Sequence, residues 1–112
     1  MTGRGAPMKF LSNNCIAILL PSLAKAERFY SDIMGFKLKS KTRTSLEYDT
    51  GTLRLYINRS AQAQPPTPSF GVRSLKRARR LLLGARCEIV VDRGSSLYFR
   101  DPFGNVFDVV ED

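Results

Sequence analysis

Histidine is absent from this chain of 112 residues, and its absence limits the chemistry that the chain can perform. A general acid or base acting near neutral pH would have to be a carboxyl, a phenol or a thiol with a strongly shifted pKa. The cysteines, Cys15 and Cys87, would need a neighbouring base to act as nucleophiles, and a buried cysteine in a strand is more often a small apolar residue. Two cysteines are also too few for a disulfide framework, so we expect a cytoplasmic protein.

Positive charge is the second chemical feature. Eighteen lysines and arginines face ten acidic residues, which gives a net charge of +8. This balance favours acidic partners, whether a small anion, a nucleic acid or an anionic surface. No apolar run approaches the ~20 residues that span a bilayer, so we expect no integral membrane protein.

The cations are concentrated in residues 73–86, which contain six basic residues and no acidic one. A helix from Ser74 to Leu83 is predicted here. At about 100° per residue, its apolar face would comprise Leu75, Ala78, Leu81 and Leu82. The opposite face would comprise Lys76, Arg77, Arg79 and Arg80. This face could bind nucleic acid or could simply be solvated. Without interleaved aromatic residues it would offer phosphate attraction but no base stacking.

The elements that must position any site begin with a short apolar run, residues 15–20, which predicts a buried strand. Ser22 is suited to cap a helix that Gly35 ends, and apolar residues recur between them at helical spacing. Three strands are predicted to follow, which gives the order βαβββ. Their predicted ranges are 36–41, 45–49 and 52–57.

This plan is predicted to occur twice. Ser22-Leu23-x-Lys25-Ala26-x-Arg28 matches Ser74-Leu75-x-Arg77-Ala78-x-Arg80 at an offset of 52 residues. We therefore expect a single domain over residues 15–112, preceded by a tail and lead-in over residues 1–14. Its expected parts are module one at 15–58, a Pro-rich linker at 59–68 and module two at 69–110.

The end of the chain is an aromatic strand, a turn and a second strand. The turn and second strand read Asp101-Pro102-Phe103-Gly104-Asn105-Val106-Phe107-Asp108. This hairpin resembles the closing Asp-Pro-x-Gly-Asn/His-x-x-Glu pattern of the vicinal oxygen chelate superfamily, the glyoxalase, bleomycin-resistance and dioxygenase group. Similar fragments in the same order are Ile16-Ala17-Ile18, Phe29-Tyr30, Gly35-Phe36, Phe70-x-Val72 and Gly84-Ala85.

The resemblance implies an α+β fold in which two paired βαβββ modules form a curved mixed sheet around a central cavity. It leaves the function open, because the family includes isomerases, dioxygenases, thiol transferases, epimerases and proteins that sequester drugs. The bleomycin-binding branch fits poorly, since that drug is cationic and this chain carries +8.

The metal-ligand positions that the resemblance implies fall on Cys15, Arg54, Thr67 and Asp108. An arginine is a permanent cation that does not ligate a metal, and one thiol with one carboxylate makes a poor site for a dication. We therefore expect neither the family metal nor another cofactor.

Strand alternation predicts which side chains would share the implied cavity. If Arg54 and Asp108 point inward, then Tyr56 does so too, together with Cys15 and Ser69. Arg54 and Asp108 could anchor a ligand or could pair with each other. The residues expected to face the helices are Leu53, Leu55, Ile57, Phe107 and Val109, and Glu47 and Asp49 are expected to be solvated.

Together these features predict a homodimeric protein that binds a small organic molecule, anionic or carbonyl-bearing, without a metal. The ligand-binding residues would be Arg54, Tyr56, Asp108, Cys15 and Ser69. An alternative is a lyase, isomerase or dioxygenase-type enzyme that uses Asp108, Tyr56 or Cys15. A third hypothesis is an interaction protein whose basic surface binds nucleic acid.

Overall fold

A computed structural model describes residues 8–112, which form two compact units. The first unit comprises residues 14–69, and the second comprises residues 70–112 together with residues 8–13. Residues 1–7 of the expected tail lie outside the described residues.

The first unit has the predicted βαβββ order. Ser22 begins the helix as expected, because its hydroxyl accepts a hydrogen bond from the backbone N–H of Lys25 at 3.2 Å. The helix is α-helical for five residues and then continues as a π-helix, which sequence spacing did not predict. The elements are β1 (Leu11–Leu20), α1 (Leu23–Glu27), the π-helix (Arg28–Ile33), β2 (Lys37–Lys41), β3 (Ser45–Asp49) and β4 (Arg54–Arg59).

The second unit repeats this order. Ser74 caps its helix through a bond from the backbone N–H of Arg77 at 3.1 Å. The elements are β5 (Gln64–Val72), α2 (Leu75–Gly84), β6 (Glu88–Asp92), β7 (Ser96–Arg100) and β8 (Val106–Glu111). By their contacts, residues 11–13 of β1 belong to the second unit and residues 64–69 of β5 belong to the first. No helix within residues 8–112 has the length and apolar character needed to cross a bilayer.

Strand order is also the same in the two units: β2-β3-β4-β1 in one and β6-β7-β8-β5 in the other. In the first unit β1 runs parallel to β4, whereas β2, β3 and β4 are antiparallel, so the sheet is mixed. The predicted α+β fold with two βαβββ modules is confirmed.

Two predicted boundaries were wrong. The first strand begins at Leu11, four residues before the predicted start at Cys15, and the fifth begins at Gln64, inside the segment predicted as a linker. Three prolines in β5 argued against a strand there. Proline's fixed φ is nevertheless compatible with extended backbone wherever its missing N–H is not required. The strand's period of two is visible in burial, since Thr67 and Ser69 are buried while Pro66 and Pro68 are exposed.

Each unit has its own apolar core between helix and sheet. In the first, Tyr48 is fully buried and its hydroxyl lies 2.8 Å from Ser31 Oγ. The other buried members are Ile18, Ala26, Leu46, Leu55 and Ile57. The second core is made of Val72, Ala78, Leu82, Leu97, Phe99 and Val109.

Residues from before the first unit complete the second core. Met8 and Phe10 pack against it, and the ring of Phe10 meets that of Phe99 edge to face at 6.4 Å. Part of the segment predicted as a tail and lead-in is therefore core and strand.

Candidate functional site

One face of the first unit's sheet carries polar side chains, and the opposite face packs on the helix. Cys15 on β1 is the register partner of Arg54 on β4, and Tyr56 is the partner of Glu47 on β3. Side chains at these positions share a face because residues two apart, and residues directly opposite, point the same way. Leu55 and Ile57 lie in the helix-facing core, as alternation predicted.

The guanidinium of Arg54 is held by Glu47. Its Nη1 donates to Glu47 Oε2 at 2.7 Å, with 48% of the Arg54 side chain and 19% of the Glu47 side chain exposed. The hydrogen bond and charge of Glu47 raise the pKa of Arg54 above its ordinary value. The expectation that Glu47 is solvated was therefore wrong, and Arg54 is a fixed cation that still presents N–H donors to solvent.

Tyr56 lies beside this ion pair and is half-buried. Burial raises the pKa of its phenol above the ordinary value, and the charges of Glu47 and Cys15 raise it further, while Arg54 acts the other way. A phenol with a raised pKa stays protonated near neutral pH. Tyr56 is therefore suited to donate a hydrogen bond and is a poor general base.

Turns fix the end of β4 at which Arg54 lies. Asp49 Oδ1 accepts from the backbone N–H of Gly51 at 2.8 Å, so Asp49 shapes a turn and is not merely solvated. The side-chain amide of Asn14 donates to the carbonyl of Thr52 at 2.9 Å, which ties β1 to the same turn. Because the turn ends at Leu53, β4 begins at Arg54 and not at the predicted Thr52.

The remaining predicted site residues lie on other strands. Ser69 on β5 is buried at 4% exposure, and Thr67 is buried and donates to the carbonyl of Pro65 at 2.7 Å. Asp108 belongs to the second unit, where it is 4% exposed and is the register partner of Tyr98. The first unit thus contains four of the five predicted ligand-binding residues: Cys15, Arg54, Tyr56 and Ser69. It also contains Glu47, which was not predicted to belong to the site.

The residues present do not fit the family metal. Arg54 occupies one implied ligand position as a cation engaged with Glu47, and Thr67 donates its hydroxyl to a backbone carbonyl. Within residues 8–112, no group of three His, Cys, Asp or Glu side chains is placed to hold a metal ion. The polar face can donate hydrogen bonds to an oxygen atom, but it lacks the ligand set for a dication.

A separate cavity of about 380 Å³ lies on the helix side of the first unit. It is apolar, and three of its lining residues, Phe29, Met34 and Leu53, are also among the exposed large hydrophobic side chains. The remaining lining residues are Ile16, Ile18, Tyr30, Phe36, Thr50, Leu55 and Pro66. Strand alternation had predicted a site on the opposite face of the sheet, where Arg54 and Tyr56 lie.

Sequence reasoning missed Glu47 as a partner of Arg54. The signal was present in the hairpin, because two antiparallel strands joined by a short turn bring residues equidistant from that turn together. Applied to β3 and β4, this rule pairs Glu47 with Tyr56 and leaves Arg54 two residues away on the same face.

Solved structures of other proteins share this fold. Three similar structures are a variant of homoprotocatechuate 2,3-dioxygenase from Brevibacterium fuscum, its anaerobic complex with 3,4-dihydroxyphenylacetate, and an extradiol ring-cleaving dioxygenase from B. fuscum at room temperature. Each is 20% identical and aligns over 99% of this chain, with TM-scores of 0.57, 0.58 and 0.58. This chain spans only 35%, 40% and 35% of theirs.

No curated protein matches the chain. The family model of the Glyoxalase/Bleomycin resistance protein/Dioxygenase superfamily matches residues 14–109, which include all of the first unit, most of the second and every residue of the candidate site. The chain therefore belongs to the glyoxalase, bleomycin resistance protein and dioxygenase superfamily.

Proposed function

We propose that the polar face of the first unit binds a small organic molecule through an anionic or carbonyl oxygen, without a metal. The observation that carries this proposal is Arg54, whose guanidinium is fixed by Glu47 at 2.7 Å while about half of its side chain remains exposed. A planar guanidinium held in place offers several donors to one oxygen-bearing group at little further entropic cost.

The neighbouring groups support the same chemistry. Glu47 balances the charge of Arg54, so a neutral carbonyl can be bound as well as an anion, and Tyr56 can add a further donor. Cys15, the register partner of Arg54, adds a small side chain next to the guanidinium. Ser69, which lies in the same unit, is retained as a candidate ligand contact. The role of Asp108, in the second unit, stays a prediction from the sequence.

A thermal-shift screen of small carboxylates, phosphates and dicarbonyls tests this proposal. A ligand at about 100 times its Kd should add about 2.7 kcal/mol to the unfolding free energy of the wild type. Arg59→Ala is the matched control, because it removes an exposed arginine from the other end of the same strand. We expect stabilisers to act on the wild type and on Arg59→Ala but not on Arg54→Ala. Equal stabilisation of Arg54→Ala would refute the anchor.

Metal independence has its own test. Because Arg54 is a cation at an implied ligand position, added nickel, zinc or manganese should leave the melting temperature unchanged. Elemental analysis of dialysed protein should find no stoichiometric transition metal. One bound metal per chain would contradict the ligand argument.

A further inference from the structure

Helix α2 presents an outward face that is cationic along its length. Ala78 and Leu82 are buried, and the position opposite this stripe is occupied by Arg80. Lys76 and Arg77 lie on either side of Arg80 and are exposed. Arg73 immediately before the helix and Arg86 just after it are exposed as well.

Few of these charges are neutralised within the protein. Arg79 forms an ion pair with Asp92, whereas Lys76, Arg77 and Arg80 have no ion-pair partner among the described residues. The one carboxylate at the start of the helix, Glu111, accepts a hydrogen bond from the backbone N–H of Leu75 at 2.8 Å. The outward face therefore has cations available for an external anion.

The placement of the charges carries a local cost. Lys76 and Arg77 lie in the first turn, where positive charge opposes the helix dipole. Arg86 has a φ of 69°, in the left-handed region that favours glycine, at a helix end closed by bonds from Cys87 N to Leu82 O and from Arg86 N to Leu83 O. Folding alone does not require arginine or lysine at these positions.

The repeat within the chain supplies an internal reference. The equivalent helical segment of the first unit, residues 23–33, has two cations, Lys25 and Arg28, and two carboxylates, Glu27 and Asp32. Like α2, it begins at a serine cap and buries an alanine, yet it carries no net charge. The basic face is therefore a property of the second helix and not of the fold.

We propose that the outward face of α2 binds the phosphate backbone of duplex nucleic acid without reading its sequence. Lys76 and Arg80, one turn apart, lie about 6 Å apart along the helix axis, and a duplex presents a dense linear array of phosphates to such a row. No aromatic residue is exposed on α2 to stack on an unpaired base.

An anionic membrane is the competing partner, because Leu81 and Leu83 are 50% and 48% exposed beside the cations. Sequence analysis had assigned Leu81 to the apolar face, and that assignment was wrong. The two leucines flank the cations, and Arg80 occupies the most outward position. Insertion into lipid requires apolar side chains at the most outward position of the helix. An arginine at that position therefore favours a phosphate backbone as the partner.

The test measures binding of a short labelled DNA duplex by fluorescence anisotropy over a series of salt concentrations. The variant is Arg77→Glu/Arg80→Glu, and the control is Lys25→Glu/Arg28→Glu at the equivalent positions of the first unit. Each replacement lowers the net charge by two units, so both double variants lower it from +8 to +4.

We expect the α2 variant to lose at least about tenfold in affinity at about 50 mM salt and to reduce the slope of log affinity against log salt by about two. The control should lose far less affinity and keep the wild-type slope. The α2 variant should melt no lower than the wild type, since Arg77→Glu puts a favoured carboxylate in the first helical turn and Arg80→Glu changes an exposed side chain.

Three results would overturn the proposal: no wild-type binding at the lowest salt, equal losses in the two double variants, or stronger binding to vesicles of anionic phospholipid than to the duplex. The last result would assign the surface to a membrane.

Discussion

The two units have the same backbone plan but opposite charge arrangements. In the first, Glu27 on the helix pairs with Lys41 at the end of β2 at 2.8 Å; in the second, Arg79 on the helix pairs with Asp92 at the end of β6. These pairs join equivalent positions with the signs exchanged. A tyrosine and a carboxylate are exchanged between strands in the same way. Glu47 on β3 lies opposite Tyr56 on β4, whereas Tyr98 on β7 lies opposite Asp108 on β8.

What the units share is the set of groups that determines local structure. Each helix has a serine cap and a buried alanine, Ala26 or Ala78. The turn between the last two strands of each unit has an aspartate, Asp49 or Asp101, whose carboxylate accepts a hydrogen bond from the backbone N–H two residues later. The fold thus depends on caps, turns and apolar positions, whereas polar pairs can change sign without changing it.

The largest expected effect is a loss of unfolding free energy when equivalent core residues of the two units are truncated. Ile57 and Val109 are equivalent by the repeat offset, and both are fully buried. Ile57→Ala should cost about 2–5 kcal/mol of unfolding free energy. Val109→Ala should cost about a third less, because it removes two carbons and not three. Denaturant unfolding measures both values, and a larger cost for Val109→Ala would show that the two cores are not equivalent.

A smaller effect should distinguish the units, because among the described residues the second core alone recruits side chains from outside its own repeat, Met8 and Phe10. Phe10→Ala, which removes a half-buried ring from the edge of Phe99, should cost about 1–3 kcal/mol. Hydrogen exchange should accelerate in β7 and β8 and stay unchanged in β3 and β4. Leu11→Ala is the control, since Leu11 is 59% exposed. Uniform acceleration would contradict the assignment of Phe10 to the second core.

The smallest effect is a pH dependence that differs between the units. The hydrogen bond and charge of Glu27 raise the pKa of Lys41, so its contribution to stability is complete below the unfolded pKa and is lost as pH rises through the folded one. The backbone N–H of Gly94, and then Arg79, lower the pKa of Asp92. Its contribution is present above the unfolded pKa and is lost as pH falls through the folded one.

Unfolding free energies of Lys41→Met and Asp92→Asn should therefore converge on the wild type at opposite ends of the pH range, alkaline for Lys41→Met and acidic for Asp92→Asn. Both side chains are exposed at the surface, so the effects are small. Convergence of both variants at the same end would refute the exchange of signs.

The sequence predicted the βαβββ repeat because caps, turns and apolar spacing are local signals. It failed at β1 and β5, where pairing between distant segments extends strands through Leu11 and through a proline-rich stretch that has no strand propensity of its own. The candidate site was predicted only in part, because it too depends on pairing between strands. Alternation placed Arg54 and Tyr56 on one face, but the partner of Arg54 required the β3–β4 register, which composition does not encode.

The packing of Met8 and Phe10 against the second core affects how the chain folds during synthesis on the ribosome. These residues emerge before the first unit does, but the core that they complete includes Val109, which emerges far later. The first unit, residues 14–69, is contiguous in sequence and can fold while translation continues. The segment before it must keep its apolar side chains without their native partners through that interval. A nascent chain arrested after residue 69 should therefore expose an apolar segment to chaperones, and only completion of β8 should withdraw it.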